Sequence, residues 1–108
     1  MIISICIPTY HRSKNLDNCL NSINLNKFNN KNFFEICISD NSTDDMSSDV
    51  VSRYKKVLPI NYIKNQTNIG RVKNYLNVVS MAKGDFVWLL GDDDLLVPNA
   101  INNIKKLI

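Results

Sequence analysis

A chain of 108 residues has room for one domain with a modest core and excludes two full domains. Hydrophobic residues at 44% and charged residues at 21% exclude low-complexity and disordered classes, so the chain is expected to fold. The formal net charge of +3 is spread over lysines and arginines with no block of one sign, which argues against a nucleic-acid partner.

In chain order, the apolar run Ile2–Ile7 predicts a first strand that ends at Pro8-Thr9. It lacks the basic start and long apolar region of a signal peptide. Leu16, Cys19, Leu20 and Ile23 recur at helical spacing behind Ser13, a cap residue type, and predict a helix. Phe34–Ser39 reads as the second strand. Asp44 or Asp45 then caps a helix in which Val50, Val51 and Tyr54 share a face, and Leu58-Pro59 stops it. Ile60–Lys64 is the third strand. From Arg71 to Lys83, Val72, Leu76, Val79 and Met81 form the stripe of a third helix, closed by Gly84. Phe86–Leu90 is the fourth strand, and Pro98 opens a last helix carrying Ile101, Ile104 and Ile108.

Strict alternation of strands and helices predicts an α/β, Rossmann-like unit with a mostly parallel four-stranded sheet and helices on both faces. The unbroken apolar runs Ile5-Cys6-Ile7 and Val87-Trp88-Leu89-Leu90 fit strands covered on both sides. Cys6, Cys19 and Cys37 sit in apolar segments without C-x-x-C spacing, as small buried hydrophobes of a reducing compartment. No stretch approaches a membrane span, so cytoplasmic residence is expected, with peripheral attachment at the inner membrane face left open. Asparagine is abundant but spread through helices and loops alike, a compositional bias to which no mechanism is assigned.

In open α/β sheets, ligands bind beyond the carboxyl ends of the strands. The polar clusters Pro8 to Arg12, Asp40 to Asp45, Asn65 to Gly70 and Gly91 to Asp94 all fall there. Adjacent Asp92, Asp93 and Asp94 repel one another unless a cation or solvent relieves them. In an extended stretch Asp92 and Asp94 would converge while Asp93 points away. Such hard oxygens suit Mg²⁺ or Mn²⁺ with a diphosphate as co-ligand. The bland alternative is a solvated acidic turn capping the next helix. Tyr10 is open between loop packing and base stacking, Arg71 and Lys73 between a solvated helix face and a binding role. Asp40 is open between an Asx-turn and a ligand contact. His11 is given no chemical role, and Trp88 is read as core.

The segments Ile3 to Tyr10, Ile36 to Asp45, Asn68 to Asn74 and Lys83 to Asp94 together resemble the successive signatures of family 2 glycosyltransferases with the GT-A fold. Four motifs in order cover nearly the whole chain. The resemblance implies that Pro8, Thr9 and Tyr10 line a nucleotide base pocket and that Asp40 accepts from an imide N–H such as that of uracil. It implies that Asn68, Gly70, Arg71, Lys73 and Asn74 surround the nucleotide at a helix start. The acidic turn corresponds to the family's D-x-D-like motif, with Asp94 first choice as metal ligand, alongside Asp92. Relatives carry an aspartate where Gly91 stands, so the ribose contact passes to Asp92 or Asp93.

The expected activity is sugar transfer from a nucleotide-diphosphate donor, a UDP-sugar, to a glycan or lipid-linked acceptor, with Mn²⁺ or Mg²⁺. Relatives provide the catalytic base and the acceptor half beyond the acidic turn, so residues 1–108 are expected to form a single truncated donor domain, inactive alone. Two rivals stay open, a non-catalytic nucleotide-binding remnant or interaction module and a Mg²⁺-dependent phosphoryl-transfer domain. No P-loop or G-x-G-x-x-G fingerprint supports a kinase or dinucleotide enzyme.

Overall fold

The structure is a computed structural model that describes residues 1–26 and 31–108. Its elements alternate as Ile3–Thr9 (β1), Ser13–Asn24 (α1), Phe34–Asp40 (β2), Met46–Tyr54 (α2), Ile60–Lys64 (β3), Arg71–Ser80 (α3), Phe86–Leu89 (β4) and Ala100–Leu107 (α4). All strand pairs are parallel, in the order β3-β2-β1-β4. The chain runs outward from β1 through β2 to β3, then returns to place β4 on the other side of β1. The order reverses between β1 and β4, which opens a crevice at their carboxyl ends.

Two different layers cover the sheet. Ile3, Ile5 and Ile7 of β1 and Ile36 and Ile38 of β2 pack on Leu16, Cys19, Leu20 and Ile23 of α1, Val50 and Val51 of α2 and Ile101 of α4. Alternation along the strands sends Cys6 and Cys37 to the opposite face, where they meet Val78 of α3. Cys6, Cys19 and Cys37 are free, buried thiols. The α3 layer is largely polar. Ser4, Glu35, Ser39 and Asn74 are buried in it, so β2 is not the simple apolar strand that its isoleucines indicate.

Several local readings are corrected. The stripe Val72, Leu76, Val79 is 72%, 65% and 40% exposed, whereas Asn74 and Val78 face the sheet. The apolar pattern of α3 therefore marks its outer side, because its inner side meets the polar ends of β1 and β2. Likewise β4 pairs only with β1 among the described residues, and Phe86, Val87 and Leu89 are about half exposed there. Trp88 is partly buried against the main core. Gly84 does not end α3, which stops at Ser80. A side chain there would meet backbone atoms of Ile2, Ile3 and Ser4 at 2.9 Å, so glycine lets the chain pass close to the start of β1. Arg12, not Ser13, occupies the cap position of α1. Among the described residues no helix is long and apolar enough to cross a membrane.

Candidate functional site

At the crevice predicted by the strand order lies a cleft of about 500 Å³. Its wall takes Pro8, Thr9, Tyr10 and Arg12 from the end of β1, Asn41 from the end of β2, Asn68, Gly70, Arg71, Asn74 and Tyr75 from the start of α3, and Gly91, Asp92 and Asp93 after β4. Chain segments far apart in sequence meet here because parallel strands deliver their carboxyl ends to one rim.

Five asparagines and one serine fix that rim. Asn74, 3% exposed, accepts from Ser39 Oγ at 2.7 Å and from Asn65 Nδ2 at 3.1 Å. It donates to Ser39 O at 3.1 Å and to Thr9 O at 3.4 Å. Asn41 donates to Gly70 O at 3.2 Å and accepts from Asn65 at 2.7 Å, while Asn77 donates to Ser39 Oγ at 2.8 Å. Asn68 accepts from the Gly70 amide at 2.9 Å. Gly70 has φ +89° and ψ 159°, a conformation essentially reserved for glycine, which starts α3 beside the cleft. Asn41, Asn65, Asn74 and Asn77 thus acquire a mechanism, since amides that both donate and accept tie α3 to the sheet ends.

The acidic segment is a turn, closed by the Asp94 amide donating to Gly91 O at 3.1 Å. The expected convergence of Asp92 and Asp94 in an extended stretch is corrected accordingly. Asp92 points inward, 7% exposed, and accepts from Thr9 Oγ1 at 2.8 Å. Burial pushes its carboxyl above the ordinary range, partly offset by the Thr9 hydrogen bond and by Arg12. Arg12 Nη1 lies 3.5 Å from Asp92 and 3.6 Å from Asp93. Asp94 accepts from the Gly91 amide at 3.1 Å. A Cβ on Gly91 would meet Asp93 Oδ1 and Asp94 Oδ2 at 2.9 Å each, so these two oxygens flank one point above the glycine. Cys19 lies behind the turn, and burial with the three carboxylates pushes its thiol up to about 12, which makes it a poor nucleophile.

Among the described residues no group of three or more carboxylates, imidazoles or thiols is arranged to enclose a metal. A Mg²⁺ or Mn²⁺ ion held jointly with phosphate needs only one or two carboxylates, and the exposed, hard oxygens of Asp93 and Asp94 meet that requirement.

Of the residues expected at the site, Pro8, Thr9, Tyr10, Asn68, Gly70, Arg71, Asn74, Asp92 and Asp93 are brought together on the cleft wall. Asp40 is not. It is fully buried, accepts from the Ser42 amide at 2.8 Å in an Asx-turn and from Tyr62 Oη at 2.7 Å, and so supports the loop from beneath. Lys73 is exposed off the wall, one helical step from inward-facing Asn74. Asp94 stands at the edge of the turn, outside the wall. Sequence reasoning placed Arg12 and Asn41 in polar clusters at the rim without giving them a role, and it missed Tyr75. Arg71 lies 5.9 Å from the Tyr75 ring, in cation–π range.

The glycosyl transferase family 2 model matches residues 4–108. Abequosyltransferase RfbV of Salmonella typhimurium is 42% identical over 104 residues, covering 94% of this chain and 31% of that protein. The GalNAc(5)-diNAcBac-PP-undecaprenol beta-1,3-glucosyltransferase of Campylobacter jejuni is 35% identical, covering 96% of this chain and 33% of that protein. The S. aureus TarS 1-349 structure in complex with UDP-GlcNAc superimposes with a TM-score of 0.90 at 28% identity, covering 100% of this chain and 31% of that one. The chain therefore spans about a third of the length of these two relatives. With a family model covering nearly every residue and a GT-A sheet carrying the cleft, the chain belongs to glycosyl transferase family 2.

Proposed function

We propose that the chain forms the donor half of an enzyme that transfers a sugar from a UDP-sugar to a glycan or lipid-linked acceptor in polysaccharide biosynthesis. The observation that carries this reading is the cleft at the β1/β4 crevice, which joins an acidic turn to Arg12 and Arg71 within one pocket. A nucleoside diphosphate matches that mixture. Its base and ribose have apolar and hydrogen-bonding partners in Pro8, Tyr10 and Asn41. Its diphosphate has the arginines, and the metal that accompanies it has carboxylates. The solved complex of TarS with UDP-GlcNAc and the undecaprenol-linked substrate named for the Campylobacter relative support the donor and acceptor classes.

Asp94 and Asp93 are assigned to the metal and Asp92 to the ribose, since Asp92 faces Thr9 and Arg12. When bound, a divalent ion supplies Lewis-acid stabilisation of the departing diphosphate. The protein's own part is to hold the donor against the turn, exclude alternative orientations and keep its arginines facing the phosphates. Three free thiols support residence in a reducing compartment, the cytoplasm, with peripheral docking at the membrane face where a lipid-linked acceptor is found.

Calorimetry of UDP with and without Mn²⁺ tests the assignment on the chain as it stands. Metal-dependent binding that Asp94→Ala removes is the expected result. UDP binding that is indifferent both to Mn²⁺ and to Asp94→Ala would reject the metal assignment, and absence of any nucleotide binding would reject the function.

A further inference from the structure

Arg12 has no expected role in the sequence reading, yet one of its nitrogens sits nearly equidistant from Asp92 and Asp93, at 3.5 and 3.6 Å, on the wall of the cleft. We infer that Arg12 is a built-in cation of the acidic turn, which shares the Asp93 carboxylate with an incoming divalent ion and is thereby loosened to turn to the donor diphosphate.

The placement of Arg12 is specified by the loop before it. His11 adopts φ +49°, a left-handed conformation that is strained for a residue with a side chain. The strain is held in place by the neighbouring loop. The His11 amide donates to Ser42 Oγ at 2.9 Å, His11 Nε2 accepts from the Thr43 amide at 3.2 Å and lies 2.9 Å from Thr43 Oγ1, and Nδ1 faces Asp44 at 3.4 Å. This kink sets the next residue beside the turn after β4.

A guanidinium is always charged and weakly hydrated, so it relieves the repulsion between adjacent carboxylates without a metal. Arg12 faces Asp93 Oδ2 while Asp93 Oδ1 faces the point above Gly91, so Arg12 and a divalent ion draw on the charge of one carboxylate. Each must weaken the other, by the reciprocity of linked binding. Arg12 is half exposed, and its planar fork matches phosphate oxygens. The predicted consequence is a turn that does not repel UDP when metal is absent and that releases a phosphate-binding arginine when metal enters.

The inference rests on the proposed donor site, and the test separates the two. Binding of Mn²⁺ alone, read from the free-ion resonance signal, and of UDP alone, read by calorimetry, is compared in wild type, Arg12→Gln and Arg71→Gln. Arg12→Gln is expected to bind Mn²⁺ roughly three- to fivefold more tightly and UDP without metal more weakly by a similar factor, the scale of a partly exposed ion pair. Arg71→Gln, which changes a cation of the same cleft away from the aspartates, is expected to weaken UDP while leaving Mn²⁺ unchanged. Unchanged or weaker Mn²⁺ binding in Arg12→Gln overturns the inference while leaving the donor site standing. Equal tightening by Arg71→Gln overturns it too, because the effect would be one of general charge. Failure of the wild type to bind UDP at all rejects the donor site and the inference together.

Discussion

Truncating Asn74 to alanine isolates what the amide network contributes. The side chain is 3% exposed and makes four hydrogen bonds, accepting from Ser39 Oγ and Asn65 and donating to Ser39 O and Thr9 O. Removing it strands the Ser39 hydroxyl proton in a buried layer, whereas Thr9 O keeps the Asn41 amide at 2.9 Å. One stranded donor costs about 1–3 kcal/mol, and the remaining bonds add about 0.5–1.5 kcal/mol for each one not replaced. The expected loss is about 2–4 kcal/mol, which for a domain of this size lowers the melting temperature by roughly 10–25 °C. Urea denaturation should show a lower midpoint at unchanged slope. Because the same amide joins α3 to Thr9, UDP affinity should fall in the folded variant. A double-mutant cycle with Ser39→Ala should return a coupling energy of about 1 kcal/mol or more. A loss under about 0.5 kcal/mol with no coupling would refute the claim that these asparagines hold the rim together.

Glu35 is 1% exposed; burial pushes its carboxyl up, but hydrogen bonds from Ser4 Oγ, the Lys83 amide and Asn61 together hold it below its ordinary value. A depressed folded value means that its stabilisation is complete above the ordinary carboxylate range and is lost as pH falls through the folded value. Melting temperatures of Glu35→Gln should therefore be lower than wild type near neutrality and converge with it in acid, and parallel curves would contradict the reading. Asp92 has the opposite sign, since burial raises its value, disfavours the ionised form in the fold and makes stability fall as pH rises through the carboxylate range. Asp92→Asn should melt higher than wild type near neutral pH while binding UDP more weakly, and a variant less stable at every pH would count against it. Gly91→Ala should leave the fold intact but displace Asp93 and Asp94, whose oxygens lie 2.9 Å from the added carbon, so that the gain in UDP affinity from Mn²⁺ shrinks. An undiminished metal effect in calorimetry would show that these two acids are not the ligands.

Nine of the expected wall residues were legible because they follow strands or open a helix, positions that α/β topology sends to one rim regardless of detail. Asp40 was legible only as a polar residue after a strand. Whether it faces a ligand or its own backbone is decided by Tyr62, which lies 22 residues away and supplies the second hydrogen bond. Arg12 and Asn41 had equal claims by position, but nothing local distinguishes an arginine facing the cleft from one in solvent. The reversed face of α3 has the same cause, since its stripe of Val72, Leu76 and Val79 satisfies helical periodicity while the sheet below offers Ser39 and Glu35 as neighbours.

The sequence by itself determined the alternation of strands and helices, the parallel sheet and the rim at which chemistry collects, because these depend on short-range periodicity and on chain-turning residues near one another. Tertiary structure alone decided that β4 pairs with β1 on the side away from β2, that asparagines brace the cleft, and that Asp92 turns inward to Thr9 while Asp93 and Asp94 flank Gly91. Those outcomes depend on contacts between residues many tens of positions apart, as Thr9 and Asp92 are, and such contacts exist only once the strand order has been set.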